Sequence, residues 1–143
     1  MKLITRVLLS LSLFAFFIVS GFADDLSKLE GKWSIKKTNR EGQAYTQTLE
    51  IKKDKFKFRV VGGDDQTQLY AEGDIKLSKL GAFNAIKFFN IKGGTSADSL
   101  EPVDDDRDAI YMLDGNSWTL ASNFDKPRDD QKPTADTYTR SSK

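Results

Sequence analysis

The sequence predicts an all-β fold, a small eight-stranded antiparallel barrel with a short N-terminal helical turn. Short alternating apolar segments recur about every 8–15 residues between clusters of Gly, Asp, Asn and Pro, which is typical of strands joined by turns. Asp114-Gly115-Asn116 separates two such segments and is a strong hairpin signal. A chain of sequential hairpins can form a sandwich or a barrel, and the barrel leaves no exposed strand edge.

A leader precedes the predicted barrel. Lys2 and Arg6 form a short basic start, and residues 7–19 are an apolar run too short to span a bilayer comfortably. The small residues that end at Ala23 match a signal-peptidase site, so we expect cleavage between Ala23 and Asp24. A signal peptide over 1–23 and a single domain over 24–143 follow, with export to the periplasm or the medium.

Composition excludes several classes of function. The 120 residues left by cleavage carry nearly equal numbers of acidic and basic side chains, whereas nucleic-acid binders show a basic face. Because the chain has no His, it has neither a Ser-His-Asp triad nor the common zinc sites. It has no Cys for a disulfide, a thiolate nucleophile or a lipid anchor. We therefore expect a monomer that is not an enzyme, needs no cofactor, binds no nucleic acid and has no membrane anchor.

Residues 24–30 predict one helical turn, because Leu26 and Leu29 share one side of it. The strand over 55–61 has the cleanest alternation, with Phe56, Phe58 and Val60 on one face. The first predicted strand begins at Trp33. The remaining strands are expected over 46–52, 68–77, 85–91, 108–113, 117–122 and 136–140.

Two of these strands carry an irregularity. Gly73 in the middle of the fourth strand predicts a bulge or a sharp bend. The fifth strand has mixed alternation, since Ile86 and Phe88 face one way while Phe89 and Ile91 face the other. Either a bulge or burial on both faces explains that pattern. A turn is expected over 78–81 and a long polar loop over 92–107.

The most acidic stretch of the chain lies in that loop. Asp104, Asp106 and Asp108 match the first three ligand positions of a calcium loop, but Ala109 and Gly115 replace the Gly and Glu that such a loop needs. A solvated acidic loop is the better interpretation, and the calcium site is only a weak candidate.

Several motifs in order resemble the lipocalin/calycin superfamily, and within it the small secreted bacterial lipocalin-like domains that have no assigned activity. Gly31-Lys32-Trp33 follows a helical turn, and Arg140 lies in the last predicted strand. The further shared segments are Lys52-x-Asp54-Lys55-Phe56, Glu72-Gly73-Asp74-Ile75, Ile110-Tyr111-x-Leu113-x-Gly115, Trp118-Thr119-Leu120 and Lys126-Pro127-Arg128. The chain is shorter than the larger lipocalins and lacks their disulfide.

The resemblance implies that Gly31, Trp33 and Arg140 close the bottom of the barrel. A guanidinium stacked on an indole is a favourable cation–π pair and needs no ligand. The resemblance also implies a small hydrophobic or amphipathic ligand inside the barrel. The inward-facing side chains expected to contact it are Phe58, Phe88, Tyr111, Trp118 and Tyr138. The same side chains could instead fill the interior completely, and the sequence leaves both alternatives open.

A second hypothesis is a secreted protein-interaction module, such as a calycin-type protease inhibitor. In that case residues 24–28 would protrude after cleavage and reach into a partner protein. The charged, proline-containing loop over 125–133 is interpreted as an exposed connection, with a partner-binding rim as the alternative.

Overall fold

The computed structural model describes residues 21–142. Most of the predicted signal peptide therefore lies outside the described residues, and its last three residues begin a helix. The described chain forms one helix and nine strands: α1 (Gly21–Leu29), β1 (Gly31–Thr38), β2 (Ala44–Lys52), β3 (Lys55–Gly62), β4 (Thr67–Leu80), β5 (Phe83–Gly94), β6 (Glu101–Pro102), β7 (Arg107–Asp114), β8 (Ser117–Ser122) and β9 (Thr134–Arg140).

Eight of these strands form a closed antiparallel barrel. β1 to β5 pair in sequence, each with the next. β5 then pairs with β7, β7 with β8 and β8 with β9, and β9 pairs with β1 to close the barrel. The two-residue β6 pairs only with β5, beyond the point where β7 leaves it. The predicted fold class, an eight-stranded barrel behind a short helix, is confirmed.

Three predicted boundaries were wrong. The helix covers Gly21–Leu29, whereas 24–30 was expected. β4 and β5 remain paired as far as Leu80 and Phe83, so the turn consists of Gly81 and Ala82, whereas residues 78–81 were expected. Polar residues near the tip hid this extension, because solvent-facing positions of a hairpin need no apolar side chain. The predicted loop over 92–107 contains the end of β5 and all of β6.

The predicted bulge is present and also explains the mixed alternation of the fifth strand. Between β4 and β5 the register shifts from Glu72 opposite Lys92 to Asp74 opposite Phe89, so β5 holds one extra residue there. Asn90 takes a φ of 51°, which accommodates it. Because of this residue, Ile86 and Ile91 both reach the core.

Glycine is required at position 73 because the backbone of the bulge lies against it. A Cβ there would be 2.7 Å from the Phe89 carbonyl oxygen and 2.9 Å from the Phe56 ring. The bulge therefore depends on a residue without a side chain.

The two ends of the barrel differ. The closed end carries α1 and two-residue turns at 53–54, 81–82 and 115–116. The opposite end is called the open end. The four connections at this end, the open-end connections, are longer and cover 39–43, 63–66, 95–106 and 123–133. Long loops on a rigid scaffold are the usual position of binding sites.

Aromatic rings fill the closed end. Trp33 and Trp118 are fully buried, with ring centroids 5.4 Å apart and planes at 64°. Tyr111 makes an edge contact with Trp118 at 6.3 Å. The Trp33 Nε1–H donates to the Leu29 carbonyl oxygen at 2.8 Å, whereas Trp118 Nε1 has no acceptor among the described residues. Buried aromatic rings therefore pack against one another in this half of the interior.

Arg140 joins the last strand to the helix and the first strand. Its guanidinium carbon lies 4.1 Å from the centroid of the Trp33 ring, the stacking that the sequence predicted. The same guanidinium donates to the carbonyl oxygens of Lys28 and Glu30, where α1 ends. Gly31 has a φ of 125°, and a Cβ on it would be 2.8 Å from Arg140 Nη1. Arg140 therefore caps the helix and covers Trp33 at once.

Replacing Arg140 by Met should lower the free energy of unfolding by about 2 kcal/mol, because both carbonyl contacts and the stacking are lost. Urea unfolding monitored by tryptophan fluorescence measures the change. Arg59→Met is the matched control, since exposed Arg59 also lies over an aromatic ring, that of Tyr70 at 5.8 Å, but on the outer side of the barrel and away from the end of α1. We expect the control to cost less than about 1 kcal/mol. Equal losses in the two variants would contradict a special role for Arg140.

Candidate functional site: a cavity at the open end

The half of the barrel nearer the open end contains a cavity of about 560 Å³. Strand residues line its walls, and residues of the 95–106 and 123–133 connections reach its opening. Leu49, Phe56, Ala109 and Leu120 separate the cavity from the aromatic core below. The interior is thus packed at the closed end and contains a cavity nearer the open end, so it is not completely filled.

One wall of the cavity is apolar. It consists of inward-facing residues of β3, β4 and β5, completed by Val103 after β6. These residues are Phe56, Phe58, Val60, Leu69, Ala71, Phe88, Ile91 and Val103. Leu69 and Val103 lie at the opening and are 44% and 39% exposed. The Phe56 and Phe88 rings meet edge to face at 5.0 Å deeper in the cavity. Apolar surface therefore runs continuously from the opening to the floor.

The opposite wall carries hydrogen-bonding groups from the strands beside the β1–β9 seam. Lys37 Nζ of β1 donates to both carboxylate oxygens of Asp136 of β9, each at 2.8 Å. Tyr138 of β9 donates its hydroxyl to Gln47 Oε1 of β2 at 3.0 Å. The remaining inward polar side chains on the strands that line the cavity are Arg107, Ser122 and Thr134. The cavity therefore has one apolar and one polar wall.

Tyr138 keeps its proton at neutral pH. Burial raises the pKa of its phenol well above the usual range, and the charge of Asp136 raises it further. The protonated hydroxyl can donate one hydrogen bond while its oxygen accepts another. It can therefore contact a polar ligand group while it holds Gln47.

Arg128 fastens the 123–133 connection beside the opening. Its Nε and Nη2 donate to the two Asp105 carboxylate oxygens at 3.0 and 3.1 Å, and its Nη1 donates to Asp125 Oδ1 at 2.7 Å. Arg107 also donates to Asp105, at 3.1 Å, and to Gln131 Oε1 at 2.8 Å. A bidentate arginine–carboxylate pair has one well-defined geometry. The ion network defined by Arg128, Asp105, Asp125 and Arg107 thus positions one side of the opening.

The network lowers the pKa values of its carboxyl groups. Hydrogen bonds from Arg128 lower the pKa of Asp125 to about 2 and hold that of Asp105 still further below its usual range. Both groups are therefore ionised throughout the physiological pH range.

The structure places three of the five predicted ligand residues in the cavity. Phe58, Phe88 and Tyr138 line it. Trp118 and Tyr111 lie in the packed closed end, where burial and the nearby charge of Asp25 raise the pKa of Tyr111 to about 12. Asp104 and Asp106 are exposed, and Asp108 pairs with Lys87 at 3.7 Å. Over residues 21–142, acidic side chains do not gather into a group that could hold a metal ion.

The polar wall was missed from the sequence, although the signal for it was present. Extending the inward alternation of Trp33 and Ile35 by one step reaches Lys37. The same step from Leu49 reaches Gln47, and from Tyr138 it reaches Asp136. These residues were overlooked because the inward set was restricted to apolar side chains.

Comparisons of the chain with family models, curated proteins and solved structures gave no match. In the described range, the helical segment is too short and too polar to cross a membrane.

Replacing Arg128 by Gln should destabilise the protein by an amount that falls at low pH. The pKa of Asp125 is about 2 in the folded state against 3.8 for the free group, so its pairing stabilises the folded protein above pH 4. That stabilisation is lost as the pH falls towards 2. Urea unfolding of both proteins between pH 7 and pH 2 measures it. Arg40→Gln in the 39–43 connection is the control. A difference between wild type and Arg128→Gln that does not decrease between pH 4 and pH 2 would contradict the assignment, whereas a remaining part of it at pH 2 is expected from the Asp105 pair.

Proposed function

We propose that this protein is an exported, non-enzymatic binding protein that holds a small amphipathic ligand in the cavity at the open end. The observation that carries the proposal is the division of this cavity into an apolar wall and a polar wall. A cavity of about 560 Å³ is within the range of sites for small molecules. The ligand would lie with its apolar part against β3, β4 and β5 and its polar part towards β9.

Burial of apolar surface would supply most of the affinity, at about 25 cal/mol per Å² removed from water. Phe58, Phe88 and Ile91 offer this surface inside the barrel, and Leu69 and Val103 extend it to the opening. Apolar contacts are therefore available to a ligand from the opening to the interior of the cavity.

The polar wall would orient the ligand. Tyr138 and Gln47 hold each other, so their remaining donor and acceptor capacity has a defined direction. Lys37 and Asp136 neutralise each other at the wall, which limits the cost of placing an apolar molecule nearby. This pairing, together with the lack of His and Cys in the chain, supports binding without chemical conversion.

The stacking of Arg140 on Trp33 supports the lipocalin resemblance, and the predicted leader supports export. Membership of the lipocalin superfamily and export are thus both parts of the proposal. The second hypothesis, inhibition of a protease through residues 24–28, finds less support. Those residues are helical, Leu26 and Leu29 pack on the core, and Arg140 binds the Lys28 carbonyl. The segment is thus held against the closed end and does not protrude.

A bulky side chain inside the cavity should abolish binding without unfolding the protein. Ala71 lines the cavity, so in Ala71→Trp an indole occupies the ligand's space. We expect the enhancement of N-phenylnaphthylamine fluorescence seen with wild type to fall by at least about tenfold, since this neutral apolar probe needs that volume. Ala135→Trp is the control, because Ala135 is exposed on the outer side of β9. Circular dichroism verifies that both variants fold.

Equal probe binding by Ala71→Trp and wild type would contradict the proposed site. Native mass spectrometry of the exported protein provides a second measurement. A bound small molecule that wild type retains and folded Ala71→Trp lacks would identify the class of natural ligand.

The two halves of the interior should respond differently to substitution. Phe58→Ala removes a ring from the apolar wall and should weaken probe binding about fivefold or more, from the lost apolar contact. Tyr111→Phe alters the packed closed end and should leave the probe affinity within about twofold. Titration of each variant with the probe gives both values. A larger effect at Tyr111 than at Phe58 would place the ligand in the wrong half.

A further inference from the structure

The charge of the molecule is unevenly distributed along the barrel axis. The four open-end connections contain eleven acidic and four basic residues, a net charge of −7. The rest of residues 21–142 contains ten acidic and fifteen basic residues, a net charge of +5. A ligand that approaches the cavity therefore meets a negative potential, which concentrates cations and repels anions.

The basic groups that reach the cavity from the strands are already engaged. Both oxygens of Asp136 hold Lys37 Nζ, and Asp105 and Gln131 hold the Arg107 guanidinium. An anionic head group would have to displace one of these carboxylates before it could pair with a base. These two strand residues therefore provide no ready partner for an anion, and the remaining basic residue of the cavity lining is Lys132, beside Asp130 in the 123–133 connection.

The aromatic rings of the cavity lining suit a cation. Phe56, Phe58, Phe88 and Tyr138 present aromatic rings to the cavity. The face of an aromatic ring attracts an ammonium group, and the attraction increases when water is excluded. Quaternary ammonium groups are bound in this way because they cannot be satisfied by hydrogen bonds.

We infer that the cavity selects cationic amphiphiles, molecules with an apolar tail and an ammonium head, over anionic ones with the same tail. The inference rests on the proposed function and adds the charge class of the ligand. The acidic open-end connections increase the local concentration of the cation, the apolar wall takes its tail, and the ring of Tyr138 on the polar wall accepts its head.

The test is a competition of two ten-carbon amphiphiles against the bound neutral probe at pH 8, below their micelle concentrations. Decyltrimethylammonium should displace N-phenylnaphthylamine at a concentration about fivefold or more below that of decanoate at an ionic strength of about 10 mM. The difference should shrink at about 500 mM salt, where the screening length is only a few ångströms.

A set of substitutions tests the charge of the open-end connections independently of the shape of the cavity. Asp104, Asp106 and Asp129 are exposed in the open-end connections, and ion pairs from their side chains are absent over residues 21–142. The triple variant Asp104→Asn, Asp106→Asn, Asp129→Asn should reduce the preference for the cation about threefold and leave binding of the neutral probe unchanged.

A matched control removes the same charge at the other end of the barrel. The triple variant Asp24→Asn, Asp54→Asn, Asp114→Asn changes three exposed aspartates, which lie in α1, in the 53–54 turn and at the end of β7. We expect this variant to keep the wild-type preference at low salt, because its substitutions lie a barrel length from the opening.

Two failures are distinguishable. Absence of neutral-probe binding would overturn the proposed function and this inference together. Probe binding with equal or stronger displacement by decanoate would overturn only the inference, as would an equal loss of preference in the two triple variants.

Discussion

The contact of Arg140 with Trp33 and the end of α1 secures the one seam on which closure of the barrel depends. β1 and β2 pair over eight residue positions, whereas β1 and β9 pair over only two, Trp33 with Arg140 and Ser34 with Thr139. The paired groups are also distant in sequence, since Arg140 binds the carbonyl of Glu30 across 110 positions. Closing so long a segment costs chain entropy that the short ladder alone offsets poorly.

The same seam connects closure to the cavity. Continuing the β1–β9 register past its last paired position brings Lys37 opposite Asp136, and their side chains bridge the strands where the backbone ladder has stopped. Tyr138 crosses β1 to reach Gln47 on β2. The polar wall is thus built from the groups that hold the seam together near the open end. The proposed binding role of these four residues thus coincides with a structural role at the seam.

Most of the fold was predictable because it depends on the local pattern. Period-two alternation identified all eight barrel strands, and Gly31-x-Trp33 with Arg140 identified the closing contact. The depth of the cavity was not predictable, because it depends on how far the two indoles fill the barrel cross-section. For that reason Trp118 and Tyr111 were grouped with Phe58 as ligand residues. The partners of Arg128 were also hidden, since Asp105 lies 23 residues away and only the fold brings them together.

The unequal lengths of the connections at the two ends have a consequence for how this protein can change over evolution. The turns of the closed end are as short as hairpins allow, so nearly every substitution there affects folding. The open-end connections join the same strands but lie far from Trp33 and Arg140, and loops of this kind accept insertions with little loss of stability. Duplicated copies of this chain could therefore diverge in the shape and charge of the open end while they inherit one unchanged framework.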